Sequence, residues 1–400
     1  MSKLRSDMNQ VFNTPQKVII TCNKRLAVYL EKEVIALGFK PIRVFSTGVE
    51  LKVTLNECIK LNLNLRCASQ VLYKLHDFTA LNADELYQKL SLLTWEKIID
   101  FGGYFSVTSN VDNETISTPL FANLRVKDAI VDRIKSVHKI RPDSGSDYTK
   151  AVIHLYWKGE NAEVFIDTAG ETLAKHSYRK IPGRAPMLEA LAAGTIYASG
   201  WDKKSNFVNP MCGSGTLAIE AALMATNRAP GLLRMNYGFM HILGYDEEVF
   251  LTERRLLKVQ VIKQVDFKII ASDISEDAID ISIKNAMTAG VDHLIEFREC
   301  DFSETEIPEG KGVVMFNPEY GERLGEQSEL EVTYKRIGDF MKQKCKGYSG
   351  FIFTGNPDLA KKIGLKASKK IEFYNGKLDC RLLQYELYDG SKREPLVVNS

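Results

Sequence analysis

Residues 206–225 read "NFVNPMCGSGTLAIEAALMA": an apolar strand, the loop Gly213-Ser214-Gly215, and then a helix. Ligands of doubly wound sheets bind beyond the carboxyl ends of the strands, where small residues let the backbone approach them closely. Asn209-Pro210 ends the strand sharply at that edge. A lone G-x-G is equally a tight structural turn, so the segments downstream have to decide. They alternate: apolar strands at 267–272, 295–300, 312–316 and 349–354, with helices at 216–226, 276–289 and 329–344. Such alternation predicts a mostly parallel α/β sheet covered on both faces. The end differs. "KKIEFYNGKLDCRLLQYELY" (369–388) is two alternating strands around Asn375-Gly376, an antiparallel hairpin closing the sheet.

The strand ends carry chemistry. "FKIIASD" ends in Asp273, where a carboxylate can accept two hydrogen bonds from a ribose diol. "IEFRECD" ends in Asp301 followed by Phe302, an acid for an adenine amino group and a ring for its face. Each acid alone also reads as a helix cap or a solvated loop residue, and Asp273 stands directly before the helix "ISEDAI". A Gly loop, an acid and an acid at three successive strand ends favour a cofactor site. A dinucleotide would want G-x-G-x-x-G with an acid about 20 residues on. Here Ala218 and Ile219 replace the third glycine, and Asp273 lies 58 residues past Gly215. S-adenosylmethionine (SAM), which has no pyrophosphate, fits better than NAD. Its expected contacts are Asn209, Pro210, Cys212, Gly213, Ser214, Gly215, Thr216, Asp273, Ile274, Asp301, Phe302 and Asn317.

The first half mixes strands and helices. "KVIITC" and "GVELKVTL" read as strands, "LAVYLEKEVIALG" as a helix closed by Gly38, and "ADELYQKLSLLTWEKII" as a second helix. "YFSVTSNV" is another strand, "RVKDAIVDRIKSVHKI" a helix with basic residues along one side, and "TKAVIHLYWKGENAEVFIDTAG" a hairpin turning at 158–161. A Pro/Gly-punctuated connector then feeds a helix before the glycine loop.

A net charge of +2 gives no global signature of a nucleic-acid binder, so any basic surface has to be local. The seven cysteines form no C-x-x-C pair and have no histidine cluster beside them, so neither a zinc site nor a disulfide framework is expected. No apolar leader and no 18-residue apolar span is present, and a cytoplasmic protein without membrane or metal partners is expected.

"NPMCGSGTLAIEAALMATNRAPGL" followed by "NPEYGERLGE" resembles the family of THUMP-containing RNA guanine-N2 methyltransferases, nearest the bacterial 23S rRNA methyltransferase L type. "LRVKDAIVDRI" is similar to the basic helix of the THUMP region, "HSYRK…APMLEALAAG" to the family's linker and first methylase helix, and "RAPGLLRMNYGFMHI" to its insertion after the glycine loop. The resemblance implies a ferredoxin-like α+β region over 1–65, a THUMP RNA-binding domain over 66–170, and a linker with a Rossmann-like class I SAM-dependent methyltransferase domain over 171–400. It implies only the N2-guanine half of relatives that carry a second, C-terminal methylase.

In that family the acceptor motif is usually Asn/Asp-Pro-Pro-Tyr/Phe; here it is Asn317-Pro318-Glu319-Tyr320. A guanine amino group is a poor nucleophile because its lone pair is delocalised into the ring. The resemblance makes Asn317 Oδ1 and the Pro318 carbonyl acceptors that aim this nitrogen at the methyl donor, with Tyr320 stacking the extruded base for about 1–3 kcal/mol. Glu319 is an auxiliary acceptor or simply solvated. Cys212 also reads as a thiolate nucleophile of the type used in cytosine-carbon methylation, but its place in the cofactor loop argues against that. Arg125, Lys127, Arg133, Lys135 and Arg179 are the expected RNA contacts, although a solvated amphipathic helix would look much the same over 125–141. The expected substrate is 23S rRNA. The alternatives are tRNA methylated at the same atom and an inactive RNA-binding assembly factor.

Overall fold

The computed structural model describes residues 12–181, 186–320 and 327–388. The chain forms two compact units, one holding the chain up to His176 plus Ala229–Gln260, the other Ser177–Arg228 plus the chain from Val261.

The first unit is built on β1 (Gln16–Cys22), α1 (Ala27–Ala36), β2 (Arg43–Phe45), β3 (Gly48–Val53), α2 (Leu55–Asn64), β4 (Ala68–Thr79), α3 (Ala83–Ser91), β5 (Tyr104–Asp112), α4 (Pro119–His138), β6 (Asp143–Gly145), β7 (Ala151–Lys158) and β8 (Asn161–Asp167). Its strands form one sheet in the order β2-β3-β1-β4-β8-β7-β5-β6, continuous across residue 65 because β4 pairs with both β1 and β8. "GVELKVTL" does not run on as strand. Thr54 stops it by capping α2, its hydroxyl accepting from the Glu57 N–H while Glu57 accepts from the Thr54 N–H. Such a box stabilises a helix start by about 1 kcal/mol. "ADELYQKLSLLTWEKII" is likewise not one helix. It breaks after Ser91 so that Trp95 can be fully buried, with its indole N–H donated to the Leu90 carbonyl at 2.8 Å. Burial of a large aromatic ring overrides local helix propensity there.

The second unit starts with α5 (Glu189–Ser199), β9 (Asn206–Pro210) and α6 (Thr216–Ala225). The chain then adds α7 (Glu247–Val259) to the first unit before supplying β10 (Ile269–Asp273), α8 (Glu276–Ala289), β11 (Ile295–Glu299), β12 (Gly312–Phe316), α9 (Gln327–Lys344), β13 (Ser349–Thr354), α10 (Pro357–Lys362), β14 (Lys369–Asn375) and β15 (Leu378–Glu386). The sheet order is β11-β10-β9-β12-β13-β15-β14, parallel through β13 and closed by the antiparallel β15-β14 hairpin. This is the mostly parallel, hairpin-closed α/β sheet expected from the alternation of segments. Strand order reverses between β9 and β12, which makes the edge beyond their carboxyl ends the place for a ligand. Beneath that edge Phe302, Phe316 and Phe340 pack edge to face with centroids 6.1–6.2 Å apart.

Residues 229–260 read from sequence as an insertion in the methyltransferase region, yet they pack with the first unit. Buried Arg234 donates to the carbonyls of Ala169 and Glu171, and buried Arg254 to those of Gly231 and Arg234. Tyr237, Phe239 and Phe250 form the aromatic core of this segment.

Candidate active site

β9 lies between β10 and β12, both parallel to it, with Ala271 opposite Asn209 and Val314 opposite Val208. The glycine loop, Asp273 and Asn317 therefore emerge side by side from one edge. Met211, Gly213 and Gly215 all adopt positive φ. A side chain at Gly215 would run into the Ser282 hydroxyl of α8, whereas the space around Gly213 is open. Gly215 is thus required for packing and Gly213 for conformation, on a face free to receive a ligand.

Asp273 serves the loop. Its Oδ2 accepts the Gly213 N–H at 2.9 Å and its Oδ1 the Ser275 N–H at 3.1 Å. A carboxylate offers about four acceptor positions, so capacity for a diol remains. The cap of α8 is Ser275, whose hydroxyl accepts from Ala278 N–H. Ile274 beside it is 72% exposed at the same edge. Asp301, by contrast, does cap a short turn. Its Oδ1 accepts from Ser303 N–H, Ser303 Oγ and Arg336 Nη2 at 2.6–2.9 Å. Burial alone would raise this carboxyl, but the Ser303 and Arg336 hydrogen bonds outweigh it and hold it below the usual range. Phe302 belongs to the core, with the Arg336 guanidinium over its ring at 4.8 Å, so it is no open platform for a base.

Asn209 is fully buried and donates Nδ2 to the Met315 carbonyl at 2.9 Å, tying β9 to β12 two residues before Asn317. Asn209 Oδ1 and Asn317 Oδ1 are both buried without a hydrogen-bond partner among the described residues. Leaving such an acceptor unsatisfied costs about 1–3 kcal/mol. Two of them at one strand switch point mark where ligand N–H groups would be accommodated. Pro318 is buried and Glu319 exposed. The Tyr320 hydroxyl accepts from Asn375 Nδ2 in the closing hairpin at 3.0 Å, and burial pushes its phenol above the ordinary value. Residues 321–326 of the motif lie outside the described residues. Cys212 is buried, and desolvation followed by the charge of Asp273 pushes its thiol far up, the reverse of what a thiolate nucleophile needs.

Ser214 and Thr216 are buried in the loop. Arg179 lies against Thr216: its Nη2 donates to Thr216 Oγ1 at 2.8 Å and to the Met187 carbonyl at 2.6 Å, and Glu189 stands 3.6 Å away. Expected as an RNA contact, it lies at the glycine loop. Asn285 of α8 completes the clamp, accepting from Lys180 N–H and donating to the carbonyls of Ile181 and Ser214. Sequence reading missed Ser282 and Asn285. The available signal was a polar residue on the inward stripe of α8, alongside Ile279, Ala286 and Ala289.

Of the other expected RNA contacts, Arg125 pairs with Asp84 at 2.7 Å and stacks on Tyr87, and Arg133 grips Glu96 through two hydrogen bonds. These bonds tie α4 to α3 and to the Trp95 turn. Lys127 is half-buried 3.7 Å from Asp128, and Lys135 is exposed. Among the described residues no cluster of metal-ligating side chains occurs, and no helix is long and apolar enough to cross a membrane.

Three family models match: an RlmL ferredoxin-like domain over residues 17–72, a THUMP domain over 80–167, and an RMKL-like methyltransferase domain over 176–384. The ribosomal RNA large subunit methyltransferase K/L of Psychromonas ingrahamii is 36% identical over 94% of this chain and 50% of its own length. That of Syntrophotalea carbinolica is 34% identical over 94% of this chain and 54% of its own. The chain thus spans about half the length of the curated relatives it matches. A crystal structure of SMU.472 complexed with S-adenosylhomocysteine (SAH) superposes with a TM-score of 0.85 at 28% identity, covering 95% of this chain and all of that one. Glycine loop, strand-end acids and hairpin-closed sheet agree with these matches: the chain belongs to the RMKL-like methyltransferase family, with a SAM-dependent methyltransferase fold preceded by ferredoxin-like and THUMP domains.

Proposed function

We propose that this protein methylates the exocyclic N2 amine of a guanosine in 23S rRNA, with SAM as the donor. The observation that carries the reading is Asn317 Oδ1, a buried acceptor without a partner among the described residues, at the end of β12 beside the glycine loop. When bound, SAM supplies a methyl group already activated on a sulfonium; its C–S bond breaks as the N–C bond forms, and SAH leaves. The residues present suit that group. Gly213 opens its backbone to it, Asp273 has acceptor capacity for its ribose, Ile274 offers an exposed apolar surface, and Asn209 Oδ1 awaits a donor.

Asn317 Oδ1 and the Pro318 carbonyl accept the two N–H bonds of the guanine amine and turn its nitrogen toward the donor. Tyr320, held by Asn375, backs the extruded base. The surplus proton on nitrogen passes to solvent after transfer, so the work of the protein is positioning. The rRNA target rests on the names of the K/L relatives, and RNA capture by the first unit on its THUMP match and on Lys127 and Lys135 of α4.

The test is methyl transfer to a 23S rRNA transcript. Asn317→Ala should lower kcat by about 10²–10³, the usual cost of one oriented hydrogen-bond partner. Unchanged turnover would remove the mechanism. Mass spectrometry of RNA from a deletion strain fixes the target: loss of N2-methylguanosine from tRNA alone would replace 23S rRNA as substrate.

A further inference from the structure

The charge of this chain is unevenly distributed. Residues 342–377 contain nine lysines and only two acids, Asp358 and Glu372, in a chain of net charge +2. Some of these lysines are paired: Lys342 lies 3.6 Å from Asp339, Lys361 2.8 Å from Asp358, and Lys362 2.8 Å from Glu331. Lys366, Lys369, Lys370 and Lys377 are exposed and have no ion pair among the described residues.

These four flank one strand, whose exposed acid Glu372 lies 3.8 Å from Arg381. Lys366 precedes β14, Lys369 and Lys370 open it, and Lys377 sits in the turn after it; β14 is the outermost strand of its sheet. At its far end Asn375 holds the Tyr320 hydroxyl. A strand of this length runs about 20 Å, so an unpaired cationic edge leads from the open surface to the ring assigned to the target base. We propose that this edge, Lys366 to Lys377, is a docking surface of the methyltransferase unit for the RNA backbone phosphates that flank the methylated nucleotide. The inference rests on the function proposed above. It is strengthened by the first unit, where Arg125 and Arg133 are already neutralised by carboxylates.

Lysines on an edge strand also guard it against pairing with other strands. Glutamates guard it equally well but repel phosphate, so charge reversal separates the two roles. Binding of the full chain to a 23S rRNA transcript is measured by fluorescence anisotropy across a salt series, with all four lysines changed to Gln or, separately, to Glu. Each lysine–phosphate contact contributes about 0.7–0.9 to the log–log salt slope. The Gln variant should bind at least about tenfold more weakly near 0.1 M salt, with a slope shallower by about three, and the Glu variant more weakly still. SAM affinity by calorimetry and Tm should match wild type in both. Wild-type affinity and slope in a folded, SAM-binding variant would overturn the proposal. So would lysine-dependent binding to phosphatidylserine vesicles in place of the RNA. If wild type binds the transcript through these lysines yet transfers no methyl group to it, the proposed function falls and the docking surface stands.

Discussion

Asn209 and Asn317 have the same local arrangement: an amide at the carboxyl end of a buried strand, its oxygen desolvated and without a partner among the described residues. Asn317 was legible in sequence as part of Asn-Pro-Glu-Tyr, and Asn209 as the end of its strand. That Asn209 also ties β9 to Met315 was not, because the partner lies 106 residues away. Gly215 carries a residue-scale prediction. With φ +78° and Ser282 against its α-carbon, Gly215→Ala combines left-handed strain with overpacking. Tm should fall, at a cost of about 2–4 kcal/mol, and SAM affinity should drop at least tenfold. Gly213→Ala has open space and should cost only about 1–2 kcal/mol; equal losses in the two variants would contradict the packing role of Gly215. Asp167 gives the pH prediction. Burial pushes its carboxyl up to about 6, against hydrogen bonds from Gln70 and the Ala169 backbone and the charge of Arg234. The folded value lies above the unfolded one of about 3.9, so the unfolded chain releases its proton first. Stability from this group is full below about pH 4, declines as pH rises toward 6, and is level above that. In Asp167→Asn the decline between about pH 4 and 6 should disappear from denaturant titrations; its persistence would assign it to another group.

At the scale of elements, β12, β13 and α8 have the limits read from sequence, and the Asn375-Gly376 hairpin is where the turn signal put it. Their boundaries are set within a few residues, by caps, glycines and a change of hydrophobic period. α2 and the break after α3 were missed because a capping box and a buried indole, rather than pattern, decide them. The connector through 178–181 read as a linker with an expected RNA contact at Arg179. It is clamped to the glycine loop by Arg179 and Asn285. Asn285→Ala removes bonds to Lys180, Ile181 and Ser214, and SAM affinity by calorimetry should fall about tenfold, equivalent to a net 1–2 kcal/mol. KM for SAM should rise more than kcat falls. A uniform loss of both in step with Tm would instead mean general destabilisation.

At the scale of the molecule, two units share a chain that leaves the second and returns to it around residues 229–260. Arg234 is the fastening of that segment within the first unit, serving the carbonyls of Ala169, Glu171, Thr172 and Asn236. Arg234→Met should leave the buried Ala169 carbonyl and the part-buried ones without their donor, at a cost of about 2–4 kcal/mol. Hydrogen exchange should quicken at 168–172 and 229–242 and stay unchanged in β9–β13; quickening throughout would show that the units do not unfold separately.

The sequence by itself determined the hairpin-closed parallel sheet, the glycine loop and the acids and amides at its strand ends. All of these are written in periodicity and turn chemistry over spans of a few residues. Only the tertiary structure decided which of those groups stay available. Phe302 went to the core, Arg179 to the glycine loop, and Arg133 to Glu96, while the lysines along β14 kept their charges open. Burial and charge pairing join residues far apart in the chain, and their outcome depends on which surfaces the fold brings together.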